Sequence, residues 1–245
     1  MFSFIYNTFV FNPLYNGLIY LMGVLPWVDA GVVVIIFTCI VRLILFPLSK
    51  KAIITQVRMK ELAPALERIR VEFKNDRQNQ ALKTMALYKE KNISPFSSFF
   101  MLLIQLPIIF ALYSIFIQSG LPSVNQELLY SFVNIPKVDM DFLGIVDIGT
   151  KSIAMAVIAA IAQFLQLHFS LASTPSTTNK PTGTPSQAEI MQNTMKNMKY
   201  IFPIMIFFIS YNIASVVALY WTVSSLFTLG QELVVRRHLQ KHQPL

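Results

Sequence analysis

Charged residues are scarce in this chain of 245 residues, since Asp, Glu, Lys and Arg together make up 13% of it. Hydrophobic residues make up 54% and are clustered in long runs. An ordinary water-soluble domain has more charge and fewer apolar residues. The composition therefore predicts an all-α membrane protein in which several helices cross the bilayer.

Cysteine is almost absent as well. Cys39 is the single cysteine, so no internal disulfide is expected, and solvated or interfacial positions explain the three histidines. The motifs HExxH and GxSxG and the P-loop are missing from the sequence. We therefore expect no enzyme activity, no metal and no cofactor.

Basic residues are missing from the first forty-one positions. Residues 1–28 are apolar and aromatic, with no basic n-region or cleavage site of a signal peptide and no transit-peptide arginines. We expect an amphipathic helix that lies in the outer membrane interface, with a true span as the alternative. The missing transit peptide favours a bacterial cytoplasmic membrane over an organellar one.

Most basic residues lie in one stretch. Lys50 to Lys91 contains eleven of the 20 Lys and Arg residues, and its apolar residues recur with helical periodicity. This pattern predicts a charged antiparallel helical hairpin over residues 50–92, on the cytosolic side by the positive-inside rule. Because a solvated face explains this charge, we expect no specific nucleic-acid recognition.

The apolar runs predict a bundle of five transmembrane helices within a core of residues 29–237. The last apolar block is divided near Asn212, because a single long helix would leave the basic C-terminus outside. The N-terminus is then outside and the C-terminus in the cytosol. The predicted spans are residues 31–48, 96–117, 153–171, 200–214 and 216–234, with a flexible Ser/Thr/Pro-rich cytosolic loop over 173–195 and a basic tail over 238–245.

Arg42 lies inside the first apolar run, where an arginine at the centre of a helix costs roughly 2.5 to 3.5 kcal/mol. We expect no acidic partner for it, because acids of the kind used in proton relays are missing from the apolar runs. The residue therefore indicates a water-filled cavity, or an anion that arrives from outside. The alternative is a snorkelling anchor at the end of a span.

Other polar side chains interrupt the apolar runs singly. Each by itself is explained as an interhelical hydrogen bond worth about 0.6 to 2 kcal/mol. Together with the cation they predict a hydrated cavity between helices, in which Arg42 would bind a carboxylate. These residues are Gln105, Gln163, Gln166, Asn212 and Thr222.

Five strings resemble the YidC/Oxa/Alb family of membrane protein insertases. IVRLILFPLSKKA, which includes Arg42, is similar to the first core span of that family, and MKELAPALERIR to the start of its cytosolic hairpin. ALYKEKNISPFSSFFMLLIQLPIIFALY, FLQLHF and LYWTVSSLFTLGQE are similar to later core spans. The strings occur in order and with compatible spacing over most of residues 27–237, although the turn in YNIASVVALYW lacks the family's usual Pro-Gly.

This resemblance implies an insertase and chaperone that acts without covalent chemistry through a positively charged hydrophilic groove. The implied partners are nascent membrane proteins with short polar or acidic tails and the lipid bilayer, with the ribosome and the Sec translocon as optional partners. The resemblance makes Arg42 the groove cation, Gln166 a groove glutamine and Trp221 a groove aromatic. Three residues are added from their positions within spans: Gln105, Gln163 and Asn212.

Two other functions stay open at this point. A small-solute transporter or channel subunit would use the cation to attract an anionic solute. A structural assembly subunit would carry Arg42 merely as a snorkelling residue.

Overall fold

The protein is predominantly helical, as expected of an all-α membrane protein. The computed structural model describes residues 2–74, 76–93, 97–118, 121, 123–171 and 187–242. The α-helices are α1 (Phe2–Tyr6), α2 (Asn12–Val24), α3 (Ala30–Ile44), α4 (Phe46–Glu61), α5 (Ala63–Glu72), α6 (Arg77–Glu90), α7 (Ser97–Tyr113), α8 (Ile153–Leu171), α9 (Gln187–Asn212) and α10 (Ser215–His242). Shorter elements are the π-helical turns Asn7–Phe11 and Ser114–Gln118, the 3₁₀ turn Gln126–Leu128, and the antiparallel strands β1 (Asp141–Phe142) and β2 (Val146–Asp147).

The last helix, α10, lies at the centre of the fold. It packs against α3, α4 and α8, and α8 packs along α9. Every residue from Val216 to Trp221 is buried. α8 contributes the buried alanines Ala156, Ala159 and Ala162, and small residues allow helices to approach closely within a membrane.

The first predicted span is broken in the structure. α3 begins at a cap in which the Asp29 carboxylate accepts the backbone N–H of Val32 at 2.9 Å, and it ends at Ile44. α4 then leaves at an angle of 64°. Pro47 has no amide hydrogen, so a continuous helix would leave the carbonyl of Leu43 without its partner. Residues 46–48 at the end of the predicted span 31–48 therefore lie in α4, beyond the bend, and the bounds of the span stay a prediction.

Membrane crossing can be judged here from helix length and composition. Within the described residues, α8 is the helix that is long and apolar enough to cross alone, over Ile153–Ser170. The bent pair of α3 and α4 makes a second if it counts as one span. α3 alone has 15 residues and rises about 22 Å, against about 30 Å of hydrocarbon. The five-span count stays a prediction.

The charged stretch contains a pair of packed helices, α5 and α6. α5 begins at Ala63–Pro64, where proline suits the first helical turn. Asp76 caps α6, since its carboxylate accepts the backbone N–H of Asn79 at 3.0 Å and that residue's side-chain amide at 2.6 Å. These hydrogen bonds hold the pKa of the Asp76 carboxyl below its ordinary value.

The N-terminal segment is helical from Phe2 to Val24, apart from the π-helical turn. Its inner face is fully buried at Tyr15, Leu18 and Ile19, whereas Phe4 and Phe9 are exposed. The segment therefore belongs to the hydrophobic core on one side. Its placement in the membrane interface stays a prediction.

The two C-terminal helices are longer than the sequence predicts. Residues 187–195, assigned to the flexible loop, form the start of α9, while 172–186 lie outside the described residues. Residues 238–242 of the predicted tail continue α10, and 243–245 lie outside the described residues. Residues 187–195 include two Gln and two Met, and residues 238–242 include Leu, Gln and Lys, all of which are good helix formers.

The segment between α7 and α8 fastens several helices at one end of the molecule. The side chain of Asn16 in α2 donates to the Leu128 carbonyl at 2.9 Å and accepts the Tyr130 N–H at 2.6 Å. The backbone N–H and hydroxyl of Ser215, at the start of α10, both donate to the Thr150 carbonyl, at 2.8 and 2.6 Å. This segment thus joins α2 to α10.

Candidate functional site

Arg42 lies in the last turn of α3 and reaches two other helices. Its Nη2 donates to Gln105 Oε1 of α7 at 2.8 Å and to the hydroxyl of Ser224 in α10. Gln105 in turn donates from Nε2 to the Tyr220 hydroxyl at 2.5 Å. The guanidinium is half-buried, and both of these hydrogen-bond partners are neutral. Its charge is therefore solvated by polar groups rather than cancelled by them.

A second network lies next to the first and involves α8. The Ser225 hydroxyl donates to Gln163 Oε1 at 3.1 Å, and Gln163 Nε2 donates to Gln166 Oε1 at 2.7 Å. Gln163 and Ser225 are buried, whereas Gln166 is half-buried. Since Ser224 and Ser225 are adjacent in α10, the two networks meet there. We call the whole set the polar layer: Arg42, Gln105, Gln163, Gln166, Tyr220, Ser224 and Ser225.

The break between α3 and α4 is held from α10. Gln231 Nε2 donates to the Arg42 carbonyl at 3.4 Å, and the Ser49 hydroxyl donates to Gln231 Oε1 at the same distance. Gln231 and Ser49 are both buried. A helix break within a membrane is tolerated where neighbouring side chains satisfy the freed backbone groups. Gln231 therefore stabilises the bend that ends the helix carrying Arg42.

A buried ion pair lies further along α10. Glu232 is 3% exposed and its Oε1 accepts from Arg236 Nη2 at 2.5 Å. Arg236 also donates to the Ser170 carbonyl at 3.0 Å, while the Ser170 hydroxyl accepts from Gln56 Nε2 of α4 at 3.3 Å. This cluster joins α4, α8 and α10. A cation at the C-terminal turn of α8 also matches the helix dipole.

The structure brings four of the six sequence-derived site residues together: Arg42, Gln105, Gln163 and Gln166. Trp221 is 7% exposed and lies in the hydrophobic core cluster. Asn212 is exposed at the end of α9, donates to the carbonyl of Phe208 at 2.8 Å, and lines a small cleft with Thr150 and Lys151. Ser215, which begins α10 shortly after Asn212, lies about 13 Å along the helix axis from Ser224 of the polar layer.

Sequence reasoning missed several members of the site. Tyr220, Ser224 and Ser225 are common residues in apolar helices, so only packing singles them out. Glu232 contradicts the expectation that the spans hold no acid, because it is buried within α10. The sequence signal for this ion pair was the four-residue spacing of Glu232 and Arg236, which places both side chains on one face of a helix.

The polar layer offers hydrogen bonds and one positive charge. The described part of the chain contains no group of three or more His, Cys, Asp or Glu residues that could hold a metal ion. The arrangement is suited to transient binding of a polar or anionic group between helices.

Comparison with known proteins gives consistent similarities. A family model described as 60Kd inner membrane protein matches residues 22–242. A protein of Clostridium tetani named membrane protein insertase YidC is 32% identical over 218 residues, covering 89% of this chain and 86% of the relative. The protein of that name from Fusobacterium nucleatum is 32% identical over 207 residues, covering 84% and 86%. In Treponema denticola a protein of that name is 31% identical over 225 residues, covering 86% of this chain and 35% of the relative.

Proposed function

This chain belongs to the 60Kd inner membrane protein family, the YidC/Oxa/Alb insertases, and we propose that it inserts nascent membrane proteins into the lipid bilayer. It is accordingly a protein of the bacterial inner membrane. In the proposed mechanism the polar layer is the inner wall of a hydrophilic groove. No covalent chemistry and no cofactor take part.

The observation that carries the mechanism is the environment of Arg42. Its guanidinium is held within an apolar helix by Gln105 and Ser224, which leave its positive charge uncancelled. A polar or acidic tail of a nascent protein would bind there through charge-assisted hydrogen bonds. A hydrogen bond to a charged group contributes roughly 1.5 to 3 kcal/mol net. This free energy is enough to hold a tail transiently and small enough to allow its release.

The short length of α3 assists this mechanism. α3 rises about 22 Å, so the bilayer beside it thins and the apolar path of a translocating tail is shortened. Once the tail has crossed, burial of the substrate's apolar span in lipid drives insertion, at about 25 cal/mol per Å². This driving force is larger than the free energy of binding to the polar layer, so the substrate leaves the polar layer for the lipid.

The proposed topology has five spans, with the N-terminus outside and the C-terminus in the cytosol. It places the charged pair α5 and α6 in the cytosol, where it can receive nascent chains, and the segment between α7 and α8 outside. Ribosome and Sec translocon are compatible partners of this arrangement. Family membership supports the insertase over the solute transporter and over a purely structural subunit.

Insertion into reconstituted liposomes tests the proposal. A single-span substrate with an acidic N-terminal tail is presented to wild-type protein, Arg42→Ala, Arg42→Lys and empty liposomes, and protease protection of the tail is measured. We expect Arg42→Ala to lower protection about tenfold, the equivalent of about 1.4 kcal/mol. Arg42→Lys should retain more activity, because charge matters more than a planar fork in a hydrated groove.

The matched control is Arg58→Ala, which removes an exposed arginine of α4 and should leave protection unchanged. Protection equal to that of empty liposomes with the wild-type protein would contradict the insertase. Full protection with Arg42→Ala would retain the insertase and remove Arg42 from its mechanism.

A further inference from the structure

We propose that an apolar tip, formed by Trp27, Leu143 and Ile145, inserts into the membrane leaflet opposite the charged helices α5 and α6. The occupant of this surface is the boundary between lipid headgroups and acyl chains. The inference rests on the membrane topology proposed above. The inference adds a membrane anchor at the end of the molecule away from α5 and α6. None of the groove residues Arg42, Gln105 or Gln166 lies at that end.

All three side chains are exposed, and Ile145 and Trp27 are the two most exposed large apolar groups in the described residues. Trp27 is 77% exposed, Leu143 62% and Ile145 81%. Clustered apolar groups of this kind usually mark a surface that is covered by a protein or a membrane. Tryptophan is enriched at the level of the headgroups, where its ring is apolar and its N–H is polar.

The backbone conformation of Leu143 points to a use for its side chain. Leu143 and Gly144 form the turn between β1 and β2, with φ angles of 54° and 68°. Asn, Asp and Gly are the residues that such turns favour, since a left-handed backbone costs roughly 1 to 2 kcal/mol for other L-residues. A leucine at this position places a large apolar group at the outermost point of the hairpin, at a cost that a membrane contact offsets.

The tip is attached to the point where α3 begins. The Leu143 N–H donates to Asp29 Oδ2 at 3.2 Å, and the Ala30 N–H donates to the Asp139 carbonyl at 2.8 Å. Phe142 lies directly on Gly31, where an added Cβ would come within 2.3 Å of its ring. Trp27 precedes Asp29 by two residues, so their Cα atoms are at most about 7 Å apart. The tip therefore continues the surface of a membrane-embedded helix.

The acidic residues of the hairpin formed by β1 and β2 limit how deeply the tip enters the membrane. Asp141 and Asp147 are paired directly opposite each other and both are exposed. Two carboxylates are costly in hydrocarbon, so they belong among the headgroups or in water. Only the turn beyond them and Trp27 can enter the membrane, and the insertion is shallow.

Tryptophan fluorescence can measure this depth, because the chain has only two tryptophans, Trp27 and the buried Trp221. Trp221→Phe leaves Trp27 as the only reporter. The protein is reconstituted into phosphatidylcholine and phosphatidylglycerol vesicles containing phosphatidylcholine brominated at shallow or at deep acyl positions. We expect stronger quenching by the shallow bromines than by the deep ones, and weak quenching by aqueous acrylamide.

Replacing both Leu143 and Ile145 by Ser should then shift Trp27 emission to longer wavelength and increase its acrylamide quenching. The matched control replaces Val71 and Leu82, exposed apolar residues of α5 and α6, by Ser and should leave Trp27 emission unchanged. If Trp221→Phe does not fold, the difference between wild-type and Trp27→Phe spectra reports the same quantity.

Strong acrylamide quenching of Trp27 with no bromolipid quenching would overturn the anchor. The insertion assay is run in parallel with the wild-type protein in vesicles of the same lipids, so the two proposals fail separately. Normal tail protection with a water-exposed Trp27 would reject the anchor alone, whereas loss of protection with a quenched Trp27 would reject the insertase alone.

Discussion

Arg42 and Arg236 are both held within the helix bundle, but by different partners. Arg236 contacts the carboxylate of Glu232 at 2.5 Å, whereas Arg42 donates to the neutral side chains of Gln105 and Ser224. The charge of Arg236 is therefore balanced where it lies, and we assign it to stability. In the proposed mechanism, the charge of Arg42 is available to a substrate.

Replacing Glu232 by Gln should destabilise the protein. It would leave the Arg236 side chain, which is 20% exposed, without its carboxylate, and breaking a buried pair costs roughly 3 to 5 kcal/mol. Thermal unfolding in detergent measures the effect. Because the second change also removes the guanidinium charge that Glu232 balances, the double variant Glu232→Gln with Arg236→Gln should be less destabilised than the sum of the single variants. Exposed Glu127→Gln is the control, and an equal loss there would contradict a specific role for the pair.

At the scale of elements, α2 and the segment between α7 and α8 depend on each other. Asn16 is 2% exposed, and it satisfies a carbonyl and an N–H of a segment that lies more than a hundred residues away. A buried polar residue of this kind fixes how the two elements meet, since no other register satisfies both groups. α2 therefore supports the segment between α7 and α8 as well as forming part of the surface.

Asn16→Leu should release this contact locally. The amide of Tyr130 would lose its acceptor and the carbonyl of Leu128 its donor, at a cost of roughly 1 to 3 kcal/mol for each group that stays buried. Hydrogen exchange followed by mass spectrometry should then show faster exchange around residue 130, with α8 unchanged. Asn212→Leu, which removes an exposed asparagine bonded within its own helix, is the control. Unchanged exchange around residue 130 would show that the segment is held by other contacts.

For the whole molecule, the distribution of charge bears on which ends lie on which side of the membrane. In the proposed topology, the dense basic charge of residues 50–91 favours a cytosolic position for α5 and α6, and the turn between α9 and α10 would return the C-terminus to the same side. α10 then carries both the polar layer and the Glu232 pair. This helix links the binding groups to the positions of α3, α4 and α8.

Cysteine labelling tests this topology. In a Cys39→Ser background, an impermeant maleimide added to spheroplasts should label Ser123→Cys, which lies in the segment between α7 and α8. It should label Gln78→Cys and Gln240→Cys only after the membrane is opened. All three positions are exposed in the fold, so their labelling depends on side rather than burial. Labelling of Gln240→Cys from outside would mean that the last apolar block crosses the membrane once.

The amino-acid sequence was sufficient for the class of protein and for the presence of helices, and it predicted a polar site around Arg42. These features depend on composition, periodicity and a charge within an apolar run, which are local properties of the chain. The four polar residues Arg42, Gln105, Gln163 and Gln166 were identified for the same reason. The strands β1 and β2 were not, because two residues are too few to show an alternating pattern.

What only the tertiary structure decided is which polar groups meet. Arg42 contacts Gln105, which is 63 residues away in the sequence, and Ser224, which is 182 residues away. These contacts form because of the way in which α3, α7 and α10 pack. Asn212, like the glutamines, is a polar residue within an apolar run, yet it lies exposed at the end of α9. Glu232 is visible in the sequence, but its burial depends on the neighbouring helices. Periodicity determines which face of a helix is apolar, whereas packing between helices determines the partners of the polar groups on it.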